Sequence, residues 1–317
     1  MILVTGASGY LGSHLVKRLV AEGTPVRALV RDRIWAESEG RLTGLNVEWA
    51  EGDVTKPDTL PVALHRADAV IHTVAVAIES GSRRYEDINY QGTVNVVEAA
   101  KSAGVRRFLN ICQLGADSRL PYRFLATKGK AQEYVAASGL DWTAFRPAVM
   151  WGPEDEFANS FARLVPLTPL IFPIIGDGQA RFQPVWIEDV VTAVVKSVDD
   201  RSTIGEEFEL AGPEVLTIAE IERRTFAALG ARRLMVPVPI ALLRVPVALM
   251  SLLLPAPPVT PSLLDLLKVE NTSTRNAIHR FVAHPKPFTS ENAAPYMRRF
   301  TIGKTLRGFL GRAVKSG

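Results

Sequence analysis

Cysteine is nearly absent: Cys112 is the only one in 317 residues. An internal disulfide is therefore excluded, which fits a reducing compartment. The five histidines (His14, His65, His72, His279 and His284) are scattered at no metal-ligand spacing, so no metal is expected. Uninterrupted apolar runs are also missing. The most apolar stretch, 234–264, is broken by Pro237, Pro239, Pro246, Pro255, Pro257, Pro258 and Pro261. A membrane-spanning helix needs roughly 20 apolar residues without such breaks. The first strand begins at Ile2, so no secretory leader is expected. Acidic residues almost vanish after position 267. From Lys268 to Gly317 there are 10 Lys/Arg against Glu270 and Glu291, a segment of +8 in a chain of net +4.

A basic tail can meet nucleic acid, an anionic membrane or an acidic partner, or simply be solvated. Nucleic acid is not expected, because the tail's aromatics are confined to Phe281, Phe288, Tyr296, Phe300 and Phe309. What the chain does have is 47% hydrophobic and 22% charged residues, the balance of a globular protein leaning apolar. Its length suits one large α/β domain with a smaller lobe.

Short apolar segments at 2–5, 26–30, 47–50, 69–72, 108–111 and 142–145 read as strands. They alternate with helical spacing at 10–22, 89–104 and 128–138. That alternation predicts right-handed βαβ units and a doubly wound parallel sheet covered on both faces. Beyond 147 the pattern changes to a helix at 185–198, a strand at 208–211 and a helix at 217–229. Thr217 and Glu220 have the spacing of a capping box. The expected organisation is a dinucleotide-binding domain over 1–150, with later elements up to about 230 contributing. A substrate-side lobe follows over 151–270, and a basic tail over 271–317. Within 234–264 the prolines confine a short apolar helix to about 247–254, either buried in its own lobe or resting on lipid or a partner groove.

The first chemical signal is the loop Gly6-Ala7-Ser8-Gly9-Tyr10-Leu11-Gly12, between a strand and a helix. Gly6 allows the tight turn, Gly9 lets backbone approach a pyrophosphate, and Gly12 allows close helix–strand packing. The pyrophosphate would sit on the helix N-terminus, where free N–H groups and the dipole favour negative charge. The second strand ends Val30-Arg31-Asp32-Arg33. Arg31 suits the 2′-phosphate of NADP(H), which is favoured, while Asp32 keeps NAD(H) open through its ribose hydroxyls. Asp53 and Val54 are expected to face the adenine, unless Asp53 merely forms the turn before Lys56-Pro57. Thr73, Val74 and Ala75, following the fourth strand, and Pro147 complete the expected cofactor contacts, with Lys128. His14 is expected to face solvent or pack locally, His72 to pack near the nucleotide, and Glu188-Asp189 to favour the dipole of the helix that they begin.

These residues resemble a family. Thr5 through Gly12, Gly52-Asp53, Asn89-Tyr90-Gln91-Gly92-Thr93 and Arg146-Pro147-Ala148 are similar to motifs of the extended and atypical short-chain dehydrogenase/reductases, which include NAD-dependent epimerases and dehydratases. Further motifs resemble the branch of the nucleotide-binding accessory subunit of respiratory complex I, the alpha-subcomplex subunit 9 type. They are Trp151-Gly152-Pro153-Glu154-Asp155-Glu156-Phe157, Phe182-Gln183-Pro184-Val185-Trp186-Ile187-Glu188-Asp189-Val190, and Pro257-Pro258-Val259-Thr260 ahead of Leu266-Leu267-Lys268-Val269-Glu270-Asn271. The resemblance runs to about residue 275.

The resemblance implies a catalytic Ser, Tyr and Lys, with the tyrosine four residues before the lysine and on the same helix face. Lys128 is retained. The tyrosine position is Phe124, which has no proton to give, and the serine position is Cys112, a weak donor. Tyr122, six before Lys128, lies on another face of the helix and is not expected to substitute. No base for a nucleophilic Cys112 is evident. The resemblance thus implies an NAD(P)H-binding protein whose nucleotide serves a structural or redox-sensing role in a respiratory or other membrane-associated complex. Segment 234–264 and the tail would dock to that complex or to a membrane surface. The chain would be cytoplasmic, peripheral on the inner face of the membrane. Two alternatives stand beside this. One is an NADPH-dependent reductase or sugar-nucleotide epimerase/dehydratase with a non-standard active site; the other is a quinone- or lipid-pathway accessory protein.

Overall fold

The computed structural model describes residues 1–79, 81, 83–168, 170–253 and 269–297. The chain divides into two compact units, and it passes between them more than once. The first unit comprises Met1–Pro147, Ile187–Leu210 and Arg275–His284. The second draws on Ala148–Trp186 and on the described parts of Ala211–Thr274 and Pro285–Gly317.

The first unit opens with β1 (Ile2–Thr5), whose four residues are all buried, then α1 (Tyr10–Ala21) and β2 (Val26–Val30). There follow α2 (Arg33–Ser38), β3 (Glu48–Glu51), α3 (Leu60–Leu64) and β4 (Ala69–His72). A wide turn of helix at Glu86–Gln91, with i→i+5 hydrogen bonding, leads into α4 (Gly92–Ser102). Next come β5 (Arg107–Ile111), α5 (Arg123–Ala136) and β6 (Asp141–Pro147). α5 begins at Arg123 rather than near Lys128, so Phe124 and Lys128 share one helix.

The chain then supplies β7 (Met150–Trp151), α6 (Ala158–Leu164), β8 (Ile171–Ile175), β9 (Arg181–Phe182) and β10 (Val185–Trp186) to the second unit. It returns to the first for α7 (Ile187–Lys196) and β11 (Glu206–Leu210). In the second unit again follow β12 (Leu216–Thr217), α8 (Ile218–Ala228), β13 (Leu234–Val238) and α9 (Ile240–Leu253).

The doubly wound sheet expected from the sequence is the frame of the first unit. Seven strands run parallel in the order β11-β6-β5-β4-β1-β2-β3. The order reverses at β1 and β4, and such a reversal opens a crevice at the carboxyl ends of the strands. Apolar side chains of Leu3, Val70, Val96, Val97 and Phe108 are fully buried between sheet and helices. α1 presents Leu11, Leu15, Val16 and Leu19 to the sheet, a 3.6-period stripe. Arg107 locks the other end of the sheet. Its guanidinium donates to the carbonyls of Asp141 (2.8 Å), Val198 (3.0 Å) and Ser197, and to the hydroxyls of Thr143 and Thr203.

His14, expected to face solvent or pack locally, instead bridges α1 to α7: its Nδ1 lies 2.5 Å from Glu188 Oε1, and Arg18 reaches the other oxygen at 3.3 Å. Glu188 is thus occupied by a neighbouring helix rather than only by the dipole of its own.

The second unit packs three two-stranded pairs, β10-β7, β12-β9 and β13-β8, with α6 and α8 around Trp151, Phe161, Phe172, Phe182, Phe226 and Phe288. Thr217 and Glu220 form the capping box reciprocally at the start of α8. Asn271 stitches the unit together: its Oδ1 accepts from the Val149 N–H at 2.7 Å, and its own N–H donates to the Arg181 carbonyl.

Two expectations are corrected. The helix placed at about 247–254 spans Ile240–Leu253. It continues through Pro246. Where a tail was expected from 271, the described residues up to 297 include two helices. The helix Ile278–Phe281 belongs to the first unit, where Lys196 Nζ donates to the Phe281 carbonyl at 2.7 Å. The helix Ser290–Met297 belongs to the second. The rest of the tail and of the apolar segment lies outside the described residues. Among the described residues no helix is long and apolar enough to cross a membrane.

Candidate nucleotide-binding site

The crevice at the strand-order reversal is built from backbone. Gly6 leaves β1 with φ +69°, and a Cβ there would meet Thr73 Oγ1 at 2.7 Å. Gly12 lets α1 sit on this turn, because a Cβ would lie 2.1 Å from the Gly6 carbonyl oxygen. Gly9 precedes the helix and offers no side-chain cap, which suits a helix start that an external anion approaches. This cradle fits a pyrophosphate.

A cleft of about 570 Å³ lies over it. Gly6, Ser8 and Gly9 from the loop, Arg31 after β2, Asp53 and Val54 after β3, and Thr73, Val74 and Ala75 after β4 all line this cleft. Ala7, Leu11 and Gly12 are buried behind it and shape it rather than line it. Tyr10 stacks edge-on against His14, 5.5 Å between ring centroids. Asp32 does not line the cleft: its carboxylate caps α2 by accepting from the Trp35 N–H at 2.9 Å. Asp53 lines the cleft and forms the turn as well, its Oδ1 accepting from the Thr55 N–H and hydroxyl at 2.9 and 2.8 Å.

Arg83, Asp87 and Gln91 also face the cleft and were not anticipated. Arg83 and Asp87 carry no motif spacing. Gln91 stood within a quoted motif, but nothing in the sequence aimed it at the nucleotide. Arg41 was missed too: its Nη1 donates to the Ser8 carbonyl at 3.3 Å, bracing the loop from below.

His72 is fully buried at the end of β4. Thr93 gives its one hydroxyl hydrogen to the Asn89 carbonyl (2.8 Å), so it accepts from His72 Nε2–H (3.0 Å). Nδ1 then accepts from the Thr5 hydroxyl at 2.7 Å. Burial first, and the Lys128 charge second, lower its pKa from 6.5 to about 3. It is a neutral structural link between β1, β4 and α4.

Lys128, Cys112 and Phe124 gather at the start of α5 and the end of β5. Lys128 is buried and its Nζ donates to the Ile111 carbonyl at 2.6 Å. Burial lowers its pKa. The Cys112 thiol is likewise buried, and this raises its pKa despite the nearby lysine. It donates to the Lys128 carbonyl at 3.5 Å, so it is a packed thiol rather than a nucleophile. Phe124 packs on Tyr85, 5.8 Å between centroids, beside Val76 and Ile88. The Tyr85 hydroxyl donates to the Ala77 carbonyl at 2.9 Å. Pro147 ends β6, its carbonyl accepting from the Leu114 N–H. Neither Lys128 nor Pro147 lines the cleft. Among the described residues no cluster of His, Cys, Asp or Glu could hold a metal ion.

A family model described as NAD(P)H-binding matches residues 6–159. Sterol demethylase protein B of Methylococcus capsulatus is 33% identical over 246 residues, covering 69% of this chain and 71% of that protein. The chain belongs to the same family as that protein and carries an NAD(P)H-binding domain. The mitochondrial NADH dehydrogenase (ubiquinone) 1 alpha subcomplex subunit 9 of Arabidopsis thaliana is 28% identical over 313 residues, covering 96% of this chain. The 40 kDa subunit of NADH-ubiquinone oxidoreductase from Neurospora crassa is 29% identical over 244 residues, covering 76% of this chain. The chain spans 75% of the Arabidopsis protein but 63% of the Neurospora one. The fold is shared with UDP-glucuronic acid 4-epimerase from Bacillus cereus, solved with UDP-glucuronic acid and NAD. That structure has a TM-score of 0.70 at 19% identity, over 94% of this chain and 99% of that one.

Proposed function

We propose that this family member holds NADP(H) as a structural or redox-sensing group in a membrane-associated complex and does not turn it over. One observation carries the reading: on α5, the residue one turn before the retained lysine is a phenyl ring packed on Tyr85, and the lysine itself donates to the Ile111 carbonyl. Bound NADP(H) would supply a hydride. Reduction of a carbonyl also needs a proton delivered at its oxygen, and Phe124 has none.

The preference for NADP(H) is supported by the division of labour at the end of β2. Asp32 caps α2, whereas Arg31 faces the cleft. Docking is supported by the second unit. On α9, the exposed Leu242, Val245, Leu249 and Leu253 recur at helical spacing and form one apolar stripe. A hollow of about 660 Å³ in the same unit is lined by Arg223, Arg232 and Arg233 with Phe226 and Met235. Apolar side chains beside arginines suit the anionic surface of a membrane, and the subunit names of the relatives agree with such a place. The second unit would then serve as the docking lobe where catalytic relatives hold substrate, with the protein peripheral at the inner face.

The test is mass spectrometry of the nucleotide that co-purifies, followed by stopped-flow absorbance of NADPH against a panel of quinones and aldehydes. Stoichiometric NADP(H) without decay is expected, and Phe124→Tyr should not create turnover. Rapid oxidation would overturn the reading. It would favour the reductase alternative, in which Lys128, retained at the family spacing, works with water and Lys128→Ala abolishes activity.

A further inference from the structure

Arg31 stands at the end of β2, but it is not the only guanidinium in the cleft. Arg83 enters from the connection between β4 and the turn Glu86–Gln91, and the two line the same cleft. Arg83 is half-buried, and its Nε is shielded from solvent with no hydrogen-bond partner. Burial and the neighbouring Arg31 charge both lower its pKa. Two like charges at one cleft disfavour one another unless an anion sits between them. Of the two carboxylates in the cleft, Asp53 is engaged with Thr55 and Asp87 sits exposed in the wide turn.

The residues that flank Arg83 are anchored. Glu79 accepts two hydrogen bonds from Arg123, at 2.7 and 3.1 Å, and one from the Tyr85 N–H at 3.0 Å. Arg123 is the first residue of α5, and Tyr85 is buried against Phe124. Glu79 and Tyr85, which flank Arg83 in the chain, are therefore tied to each other and to α5 before any ligand arrives, which lowers the ordering cost of binding.

We propose that Arg83 is the second jaw of a clamp on the nucleotide's 2′-phosphate, closing on it opposite Arg31. A dianionic phosphate offers three acceptor oxygens, enough for two planar guanidinium forks. The Glu79–Arg123 pair is the strut that positions the jaw. This rests on the NADP(H) reading above, and the test separates the two.

Dissociation constants for NADPH and for NADH would be measured by fluorescence titration on the full chain, with its nucleotide removed, and on Arg83→Ala, Arg83→Lys and Glu79→Gln. The wild type should prefer NADPH. Arg83→Ala should weaken NADPH by about 10–100-fold, the size of a lost charge-assisted pair, while leaving NADH within about twofold. Arg83→Lys should recover part of the loss. Glu79→Gln should cost NADPH alone several-fold. Unchanged NADH affinity is the control for folding. If the wild type prefers NADPH and Arg83→Ala leaves that preference intact, the clamp is wrong and the NADP(H) reading stands. If Arg83→Ala weakens both nucleotides equally, Arg83 only shapes the cleft and the clamp is again wrong. If the wild type does not discriminate, the NADP(H) reading fails and takes the clamp with it.

Discussion

The two units treat apolar and polar groups differently. Among the described residues, the exposed large apolar side chains of the first are Ile34, Val62 and Ile78, scattered singly. In the second they are Leu170, Ile171, Val215, Leu234, Val236, Leu242, Val245, Leu249 and Leu253, and several fall into rows. Leu234 and Val236 lie on one face of β13, and Ile171 pairs with Leu234 on β8. Scattered apolar residues need no explanation, whereas rows of them mark a surface made to be covered. Buried polar atoms without a hydrogen-bond partner occur in both units, Asn110 Oδ1 in the first among them, but two buried titratable groups differ. His72 has both ring nitrogens satisfied. Glu222, on α8, is fully buried with neither carboxylate oxygen hydrogen-bonded. The rows of exposed apolar side chains and the buried Glu222 carboxyl belong to the second unit, and the neutral buried His72 to the first.

The largest test of this contrast is Gly12→Val. A side chain 2.1 Å from the Gly6 carbonyl forces α1 off the loop. NADPH affinity, read by fluorescence titration, should fall by about 100-fold or more. A change of only a few-fold would mean that the cradle tolerates displacement and is not the pyrophosphate site.

Next in size is the pH dependence of stability, which the units should show with opposite sign. His72 binds a proton in the unfolded chain near 6.5 but in the folded one only near 3. Its contribution is complete above 6.5 and is lost as pH falls towards 3. Glu222 is shifted upward by burial, from 4.5 to about 8. The folded state therefore holds a proton that the unfolded state has released, and stability falls as pH rises from 4.5 to 8. At about 1.4 kcal/mol per unit this is worth roughly 4 kcal/mol at the upper end. Glu222→Gln should flatten that limb in urea titrations, raise stability at pH 8 and change little below pH 4.5. An unchanged limb would show that Glu222 gains a partner in solution and would narrow the contrast between the units.

The smallest effect concerns the apolar stripe. The double substitution Leu242→Ser and Leu249→Ser should weaken sedimentation with anionic vesicles by about tenfold, since each leucine withdrawn forfeits part of its transfer energy. It should leave Tm and NADPH affinity unmoved. A fall in Tm instead would place the stripe inside its own lobe.

Much of the first unit was legible because its signals are local. The strand Ile2–Thr5 is followed by Gly6, Gly9 and Gly12, and their spacing carries the loop, the helix and the crevice together. Thr217 with Glu220 announced the start of α8 for the same reason. What stayed hidden depends on residues distant in sequence. Arg83 meets Arg31 only when β4 lies beside β1, and 52 positions separate them in the chain. Glu188 reaches His14 across 174 positions. The parallel pairing of β8 with β13 joins a strand containing Pro173 to one containing Pro237, and proline masks a strand pattern. The length of α9 was underestimated because Pro246 reads as a boundary in sequence, while the helix runs through it.

Cys112 has a practical consequence. It is the sole thiol of the chain, 4% exposed at the end of β5, and it belongs to the first unit alone. A thiol reagent can reach it only when that part of the sheet opens, so its labelling rate is a clock for opening. No engineering is needed to install it. If nucleotide closes the crevice, the clock slows when NADPH is added, in proportion to the time that the site stays filled.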